Sequence, residues 1–431
     1  MDIPDISLSE ISKYVSQNVR VKGWVANTRS SGKLYFLSIR DGSGYIQAVI
    51  VKGEVSDESF TAVEQATLES SVEIEGIVRE DKRAPEGYEI TVSSCRIIGF
   101  SPDYPISKKE HGPDFLLSNR HLWLRSKRQW AIQRVRNELI LGIYDFFHDQ
   151  GFIKIDSPIF TPSACEGTTT LFGVDYFGDT VYLSQSGQLY LEAAIFSFGK
   201  VFDFGPVFRA EKSKTRRHLT EFWMMDAEMA FYDYLKNMDL QEKMIEYLVA
   251  RILERCANEL QIMERNIEPL MKIKAPFIRM RYEDAVAELQ KLGSDIKLGE
   301  DFGNDDETLL TGAHEKPIFV SHFPIEIKAF YMKADNTKKW ALGNDLLAPE
   351  GYGEIIGGGE RETDLDHLLS MIKKHKLPQD QFDWYLDLRR YGSVPHSGFG
   401  LGLERIVAWV CGLPHVRETI PFPRMLGRIT P

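Results

Sequence analysis

The sequence lacks long apolar segments and has few cysteines, and both absences restrict the class of protein. No apolar run in the 431 residues approaches the roughly 20 that a membrane-spanning helix needs. The N-terminal segment MDIPDISLSE is acidic and polar, unlike a secretory signal. The four cysteines, Cys95, Cys165, Cys256 and Cys411, show no CxxC spacing. This pattern argues against a disulfide framework or a cysteine zinc site and predicts a protein of the reducing cytoplasm.

Acidic residues outnumber basic ones overall, but two segments contain only basic charges. The formal net charge of -11 taken alone argues against a nucleic-acid partner. Residues 11–40 and 120–136, however, contain basic residues and no acidic residue. Local patches attract a polyanion more than net charge does. A nucleic-acid partner and a plain solvated surface therefore both stay open on charge alone.

The first hundred residues show the pattern of a small barrel. Apolar and polar residues alternate as in half-buried strands, and the predicted strands lie at 19–27, 33–41, 45–52, 71–79 and 88–98. Residues 57–69 between the third and fourth strands look helical. This is the element order of an OB-fold, which commonly binds single-stranded nucleic acid. Other five-stranded barrels share the pattern.

The rest of the chain mixes helices and strands, which predicts an α+β fold class. Prolines and a glycine at 101–120 indicate a linker. A long helix is expected over 125–150, then a strand that ends before Pro158. Further helices are expected near 234–263 and 365–375. The predicted organisation is a barrel at 1–100, a linker at 101–120 and a second domain at 121–431, with 265–340 as a peripheral insertion.

A basic loop lies between two strand-like arms within residues 201–232. Its cations are Arg209, Lys212, Lys214, Arg216 and Arg217, with Glu211 among them. Guanidinium groups held by a hairpin suit a triphosphate. An exposed basic loop without a ligand has the same composition.

Glycines dominate two later segments. In GYGEIIGGGERE (351–362), Glu354 precedes three glycines and, with Asp345, would suit Mg²⁺. The segment is neither a Walker loop nor a Rossmann fingerprint. In HSGFGLGLERIVA (396–408), alternating glycines would clear one strand face for a flat ligand, with Arg405 aimed at it. Close strand–helix packing with Arg405 in an ion pair is the alternative.

Together these segments resemble the three signature motifs of class II aminoacyl-tRNA synthetases in order: the long helix with Pro158, FRAE with RHLTEF, and GFGLGLERI. The barrel resembles the anticodon-binding domain of the aspartyl/asparaginyl/lysyl subgroup, so the resemblance covers essentially the whole chain. It implies an N-terminal OB-fold followed by an antiparallel sheet flanked by helices. It also implies an enzyme that activates an amino acid with ATP and transfers it to the 3′-OH of its tRNA.

The resemblance assigns roles at the ATP end of the site. Arg209 would contact the α-phosphate and Glu211 the tRNA end or the adenine amino group. The remaining ATP-binding and metal-binding roles fall to Arg217 and His218 on the outer phosphates, Phe222 stacked on adenine, Arg405 on the γ-phosphate or adenine, and Asp345 and Glu354 on Mg²⁺. His218 has a purely structural alternative. Asp345 lies two residues further from Glu354 than in typical aspartyl enzymes.

The segment SQSGQLYLE (184–192) bears on the amino acid. Aspartyl enzymes have a lysine where this chain has Leu191, and without it a substrate carboxylate would be desolvated at a cost of several kcal/mol. An asparagine amide therefore fits better. The implied pocket consists of Arg361 at the amide oxygen, Glu166 and Gln188 at the ammonium, and Ser186, Leu191, Asp226 and Glu228.

One residue departs from the asparaginyl pattern. Asparaginyl enzymes usually carry glutamate where this chain has Asp226, and aspartyl enzymes carry aspartate there. Asp226 can still accept from the substrate amide, directly or through a water. The expected substrates are L-asparagine, ATP and tRNA(Asn), and an aspartyl or relaxed specificity stays open.

The resemblance also implies an anticodon face and a dimer. Arg29, Phe36 and Gln47 would contact anticodon bases, with Phe36 stacking; Phe36 alone would otherwise be a core aromatic. A homodimer is expected through residues 130–160.

Three other functions fit the sequence less well. An enzyme that makes free asparagine would lack the barrel. An inactive regulatory relative should have lost Arg209, Glu354 or Arg405. A nucleic-acid-binding barrel on an unrelated scaffold does not explain the three motifs.

Overall fold

The chain forms two compact units, each with its own hydrophobic core. The computed structural model describes residues 2–84, 87–107, 109–162, 165 and 170–431. The units are Met1–Gly112 and Pro113–Pro431. Within the described residues, no helix combines the length and the apolar character needed to cross a membrane.

The first unit is a closed five-stranded barrel, which confirms the predicted OB-fold. In the order β1-β2-β3-β5-β4, its strands are β1 (Asn18–Ser31), β2 (Leu34–Arg40), β3 (Tyr45–Val51), β4 (Ser71–Glu80) and β5 (Tyr88–Gly99). Helix α1 (Asp57–Gln65) starts at Ser56, whose side chain accepts from the backbone N–H of Ser59. Alternate residues of β1, such as Val19 and Val21, fill the barrel interior.

The second unit is an eight-stranded sheet flanked by helices, as the resemblance implied. The sheet runs in the order β12-β13-β14-β15-β16-β11-β10-β6, and a separate small sheet runs β7-β9-β8. The strands are β6 (Ile153–Lys154), β7 (Phe160–Thr161), β8 (Gly173–Tyr176), β9 (Asp179–Leu183), β10 (Lys200–Phe208), β11 (Glu221–Ala230), β12 (Ile278–Arg281), β13 (Ile318–Ser321), β14 (Gly343–Ala348), β15 (Gly353–Glu360) and β16 (His396–Gly402). Only the β10–β6 and β12–β13 pairs are parallel among the described strands of the large sheet.

Helices cover this sheet and surround it. They are α2 (Pro113–Ser118), α3 (Arg120–Trp123), α4 (Lys127–Asp149), α5 (Gln188–Phe198), α6 (Tyr234–Arg255), α7 (Ala257–Ile262), α8 (Glu268–Met271), α9 (Tyr282–Lys291), α10 (Asn304–Gly312), α11 (Leu365–Lys374), α12 (Asp383–Arg390) and α13 (Leu403–Cys411). Short 3-10 helices lie at Leu8–Tyr14, Ile325–Ile327, Gln379–Phe382 and Val416–Glu418.

The long helix α4 is held against the helix that carries Arg405. Ser126 caps α4 by accepting from the backbone N–H of Gln129. The buried Arg136 of α4 pairs with Glu404 of α13 at 2.7 Å. Because Glu404 also accepts from the backbone N–H of Trp223 at 3.0 Å, one carboxylate joins α4, α13 and β11. These contacts of Glu404 fix the first turn of α13, which carries Arg405.

The boundary between the two units falls within the predicted linker at 101–120, but the structure differs from the predicted chain organisation in two details. Helices α2 and α3 occupy much of the second half of the predicted linker at 101–120. Pro113 is the first residue of α2, where its missing N–H costs no hydrogen bond. Residues 265–340 are not a peripheral insertion, because β12 and β13 extend the main sheet. All four residues of β13 are buried, so the strand shows no polar alternation that would mark it in the sequence.

Candidate active site

A cavity of about 410 Å³ lies over the middle strands of the large sheet. Its walls come from β11, β15, β16, the start of α13, the loop after β10 and the segment 326–332. The predicted site residues on its walls are Ser186, Gln188, Arg209, Arg217, His218, Phe222, Asp226, Asp345, Glu354, Arg361 and Arg405. Residues up to 219 positions apart in the sequence thus share one space.

The hairpin of β10 and β11 holds the basic loop at one end of this cavity. The pairing continues beyond Phe208 and Glu221, and the backbone N–H of Arg209 donates to Thr220 O at 3.0 Å. The Arg209 guanidinium carbon lies 5.4 Å from the centroid of the Phe222 ring. An aromatic face and a cation are therefore presented side by side, which suits a nucleotide base next to a phosphate.

His218 lies in the same loop and is hydrogen-bonded to Thr215 through its Nδ1 atom. Burial, together with the nearby guanidinium groups of Arg405 and Arg209, lowers the pKa of His218. The ring is therefore neutral at neutral pH, and it can donate a hydrogen bond without adding a full charge.

Arg217 is already engaged by a carboxylate that the sequence did not indicate. Its Nη1 atom lies 2.5 Å from Glu307 Oε2, and its Nη2 atom donates to Gly351 O at 2.8 Å. The same oxygen of Glu307 accepts from the backbone N–H of Glu354 at 2.8 Å. Glu307 therefore connects the basic loop to the glycine-rich strand.

Asp345 and Glu354 lie on adjacent strands, and each is paired with a cation through one oxygen. Lys328 Nζ is 2.7 Å from Asp345 Oδ2, and Arg405 Nη1 is 2.7 Å from Glu354 Oε2. Their other oxygens face the position where Gly357 lacks a side chain, Glu354 Oε1 at 3.0 Å and Asp345 Oδ1 at 3.8 Å from a Cβ built there.

This pair of carboxylates fits a divalent cation that completes its shell elsewhere. Burial, with the charge of Glu354 adding to it, raises the pKa of Asp345 to about 7. A divalent cation would relieve that repulsion. Among the described residues, no group of three or more His, Cys, Asp or Glu side chains is placed to hold a metal. Two carboxylates match Mg²⁺, which takes further ligands from water and phosphate oxygens.

The other end of the cavity carries a buried ion pair and a second carboxylate. Arg361 Nε donates to Glu228 Oε1 at 3.1 Å, and Nη2 makes a second, short contact with the same oxygen. Burial raises the pKa of Glu228 to about 7 against the pull of Arg361. Asp226 lies two residues earlier on β11, on the same face. Its Oδ2 atom accepts from Ser186 Oγ and from the backbone N–H of Gly187, both at 2.9 Å.

The alternating glycines of β16 leave space for carboxylates of the neighbouring strand β11. Glu228 and Asp226 of β11 lie opposite Gly398 and Gly400. A Cβ at Gly398 would be 2.0 Å from Glu228 Oε1, and one at Gly400 would be 2.7 Å from Asp226 Oδ1. Gly398 and Gly400 therefore make room for the carboxylates of the neighbouring strand, while Gly400 and Gly402 also line the cavity directly.

A methyl group at Gly398 is expected to lower the free energy of unfolding by about 3 kcal/mol, because it displaces Glu228 from its buried partner Arg361. Urea denaturation of Gly398→Ala measures this loss. Gly402→Ala is the matched control, since a Cβ there meets only the Arg405 stem at an ordinary 3.7 Å. Equal stability of the two variants would contradict the argument.

The predicted anticodon residues come together on the barrel. Arg29 and Phe36 pair across β1 and β2, and the guanidinium carbon lies 4.4 Å from the ring centroid. Arg29 Nη2 donates to Gln47 Oε1 at 2.7 Å, and Gln47 Nε2 donates to Glu89 Oε2 at 3.2 Å. Phe36 is half-buried on this face and does not belong to the barrel core.

Comparison with known families covers both units. Residues 112–426 match the model for tRNA synthetases class II (D, K and N), and residues 19–98 match the OB-fold nucleic acid binding domain. The asparagine–tRNA ligase of Sorangium cellulosum is 53% identical over 100% of both chains. That of Desulforamulus reducens is 54% identical over 98% of this chain and 99% of its own.

The chain belongs to the asparagine–tRNA ligases of class II. Asparaginyl-tRNA synthetase of Pyrococcus horikoshii, complexed with asparaginyl-adenylate, is 43% identical with a TM-score of 0.96 over 99% of each chain. The aspartyl-tRNA synthetase of Entamoeba histolytica is 27% identical, with a TM-score of 0.82 over 99% of this chain and 92% of its own.

Some residues expected in this ligase's site lie elsewhere. Leu191 does not line the cavity; it is fully buried in a small apolar cluster with Ile195, Val201 and Ala230. Glu228 does not line the cavity, but its ion-pair partner Arg361 does. Glu211 lies in the basic loop away from the cavity wall, and Glu166 lies outside the described residues.

The ligase's cavity also contains residues that sequence reasoning missed. Lys328, Tyr331 and Met332 line it from the segment predicted to be peripheral. The Arg361 guanidinium carbon lies 5.3 Å from the Tyr331 ring centroid. A lysine or tyrosine outside a recognisable motif carries no spacing signal, so only the fold brings these residues to the site.

Proposed function

We propose that the chain activates L-asparagine with ATP in this cavity and transfers it to the 3′-OH of the terminal adenosine of tRNA(Asn), releasing AMP and pyrophosphate. The observation that carries the proposal is the juxtaposition within one cavity. A cationic end contains Arg209, His218 and Arg405, and the opposite end contains Asp226 and Arg361. A triphosphate and an amino acid with a neutral side chain match these two ends.

The first step needs charge stabilisation more than proton transfer. A carboxylate oxygen of asparagine attacks the α-phosphorus of ATP in line, an anhydride bond forms and pyrophosphate leaves. Arg209 neutralises the charge that grows on the α-phosphate oxygens, while Phe222 stacks on the adenine. Arg217, His218 and Arg405 hold the outer phosphates, so the two reactants meet in a fixed orientation.

Asp345 and Glu354 would hold Mg²⁺ at the phosphate end. When bound, the ion supplies positive charge that offsets the phosphate oxygens. Lys328 and Arg405 are the chain's own partners of these carboxylates. They keep both side chains turned toward the space beside Gly357.

Selection of asparagine follows from the charges at the amino-acid end. Glu228 balances Arg361, so Arg361 can donate to an amide oxygen without demanding an anionic partner. Asp226 accepts from the amide NH₂. An aspartate carboxylate in the same position would face the Asp226 carboxylate and lose several kcal/mol. Because Asp226 is shorter than a glutamate, a relaxed or aspartyl specificity is the second candidate.

The second step joins the activated amino acid to the tRNA. The terminal 3′-OH attacks the carbonyl carbon of the adenylate, and AMP leaves. Glu211 in the basic loop is proposed to meet the tRNA end. Arg29, Phe36 and Gln47 bind anticodon bases on the barrel.

We also propose a homodimer through residues 130–160. Its support is a set of large apolar side chains that are 37 to 49% exposed in this stretch: Leu141, Tyr144, Ile153, Ile159 and Phe160. Large apolar side chains exposed to this extent are typical of a subunit interface. Light scattering that gives the mass of one chain for the active enzyme would exclude it.

The function is tested by ATP–pyrophosphate exchange with asparagine and aspartate side by side. Asparagine is expected to support exchange at least about 100-fold better than aspartate, since a missing hydrogen-bond match is costly in a buried site. Exchange driven by aspartate and not by asparagine would overturn the assignment in favour of the second candidate.

Phe36→Ala is expected to raise KM for tRNA in aminoacylation by about 10- to 30-fold, because stacking of a base on an aromatic ring contributes roughly 1–3 kcal/mol. ATP–pyrophosphate exchange without tRNA should stay unchanged. Ile98→Ala, at an exposed apolar residue of the barrel outside the predicted anticodon face, is the control. An equal effect of both substitutions, or a parallel loss of exchange, would contradict a role of Phe36 in base binding.

A further inference from the structure

A buried polar cluster centred on Glu192 of α5 lies next to the amino-acid end of the cavity. Its Oε2 atom accepts from Tyr385 Oη at 2.7 Å, Arg389 Nη2 at 2.8 Å and His396 Nε2 at 3.0 Å. All four side chains are fully buried, and none of them lines the cavity. The mechanism described above uses none of them.

The other oxygen of Glu192 connects this cluster to the cavity. Gln188 precedes Glu192 by four residues on α5, so the two side chains share one helix face. Gln188 Nε2 donates to Glu192 Oε1 at 3.1 Å, and Gln188 is part of the cavity wall. The cluster is therefore one hydrogen bond away from a bound amino acid.

The charge on Glu192 determines which end of the Gln188 amide faces the cavity. Although burial opposes ionisation, Arg389 and His396 hold the pKa of Glu192 far below its ordinary range. An ionised carboxylate can only accept hydrogen bonds, so the amide NH₂ must point toward Glu192. The carbonyl oxygen of Gln188 is then the atom presented to the cavity.

The orientation of this amide matters for a substrate that carries an ammonium group. A carbonyl oxygen accepts from the ammonium, whereas the reversed amide would oppose donor to donor. A buried ion pair such as Glu192–Arg389 is often no more stable than apolar residues of the same volume. The buried pair is therefore weak evidence for a role of Glu192 in stability, and its hydrogen bond to Gln188 is the contact that leads to the cavity.

We propose that Glu192 is a positioning residue for amino-acid recognition, which holds the Gln188 amide so that its carbonyl oxygen accepts from the α-ammonium group of asparagine. The inference rests on the proposed function, since it requires an amino-acid substrate with its ammonium group at Gln188.

The test separates ammonium recognition from general damage to the pocket. In Glu192→Gln, the new amide can donate as well as accept, so Gln188 is no longer held in one orientation. KM for asparagine in ATP–pyrophosphate exchange is expected to rise about tenfold, equivalent to about 1.4 kcal/mol. The inhibition constant of succinamic acid, which is asparagine without its α-amino group, should stay unchanged because it has no ammonium group to recognise.

A second variant avoids the unpaired Arg389 that Glu192→Gln leaves behind. Glu192→Asp keeps the charge and withdraws the carboxylate from Gln188, and it should show the same selective effect. Tyr190→Phe is the matched control on α5, because it removes only the bond from Tyr190 Oη to Thr161 Oγ1 at 3.1 Å. Tyr190→Phe should change neither KM for asparagine nor the inhibition constant of succinamic acid.

The outcomes are distinct. A parallel rise of both constants would mean that Glu192 is merely structural, and unchanged constants would mean that Gln188 does not need it; either result overturns the proposal. Activation of a different amino acid by the unmodified enzyme would instead overturn the proposed function. The same comparison, made with that amino acid and its deamino analogue, would then decide the role of Glu192.

Discussion

Arg209→Ala is expected to lower kcat of asparagine-dependent ATP–pyrophosphate exchange about a thousandfold. The reason is that removing a group that stabilises charge in the transition state lowers kcat by a factor of roughly 10²–10³ or more. Arg209 is held by the backbone bond to Thr220 and lies over Phe222. KM for ATP should change far less than kcat, since the charge on the α-phosphate oxygens grows mainly in the transition state. Initial rates at saturating ATP and asparagine measure the effect.

Lys214→Ala is the matched control for Arg209. Lys214 belongs to the same basic loop but is exposed and does not line the cavity, so exchange should stay within about twofold, as for most surface substitutions. Thermal unfolding of both variants separates lost chemistry from lost folding. If Arg209→Ala raised KM for ATP and left kcat intact, Arg209 would contribute ground-state binding only.

Asp226→Asn is expected to reduce the preference for asparagine over aspartate by about a thousandfold. A site that accepts a hydrogen bond from the substrate's amide can lower kcat/KM for a substrate without that donor by a factor of about a thousand or more. The asparagine side chain keeps the shape of Asp226 and removes the charge that repels a substrate carboxylate. Use of asparagine should fall and use of aspartate should rise, as the ratio of the two kcat/KM values in exchange would show.

Ser186→Ala provides the control for this substitution. It removes one of two donors at 2.9 Å from Asp226 Oδ2 and keeps the carboxylate. Because Asp226 keeps both its charge and the backbone donor of Gly187, the asparagine-to-aspartate ratio should change far less than in Asp226→Asn, by about tenfold or less. A preference for asparagine that survives in Asp226→Asn would place the discriminating group elsewhere, and Arg361 would be the next residue to examine.

The fold was largely predictable wherever one face of an element meets solvent. The barrel strands alternate clearly, and the predicted strand at 45–52 differs from β3 by a single residue. The long helix was predicted for the same reason. Strand β13 was not predicted, because both of its faces are covered and its sequence shows no alternation of polar and apolar residues. Helix α2, which begins at Pro113, was not predicted, because a proline at the first position of a helix looks the same in sequence as a proline in a linker.

The site was predictable where motifs carry it. Arg209, Glu354 and Arg405 were identified from their segments, and the structure places all three on one cavity. Glu307 and Lys328 were missed, since their importance depends on contacts with residues far away in the chain. Leu191 was expected in the side-chain pocket, yet it packs into an apolar cluster. Leu191 therefore contributes no side chain to the cavity wall.

The order of strands in the large sheet has a consequence for synthesis on the ribosome. The buried core of the barrel runs from Leu8 to Cys95, so all of its residues are translated before the second unit begins. Strand β16 lies between β11 and β15 although it is the last strand in the chain. At roughly 5–20 residues per second, β11 waits about 9 to 34 seconds and β15 about 2 to 8 seconds for the strand that joins them. Until β16 is made, the facing edges of β11 and β15 lack their final pairing partner, and unpaired strand edges favour contacts with other chains.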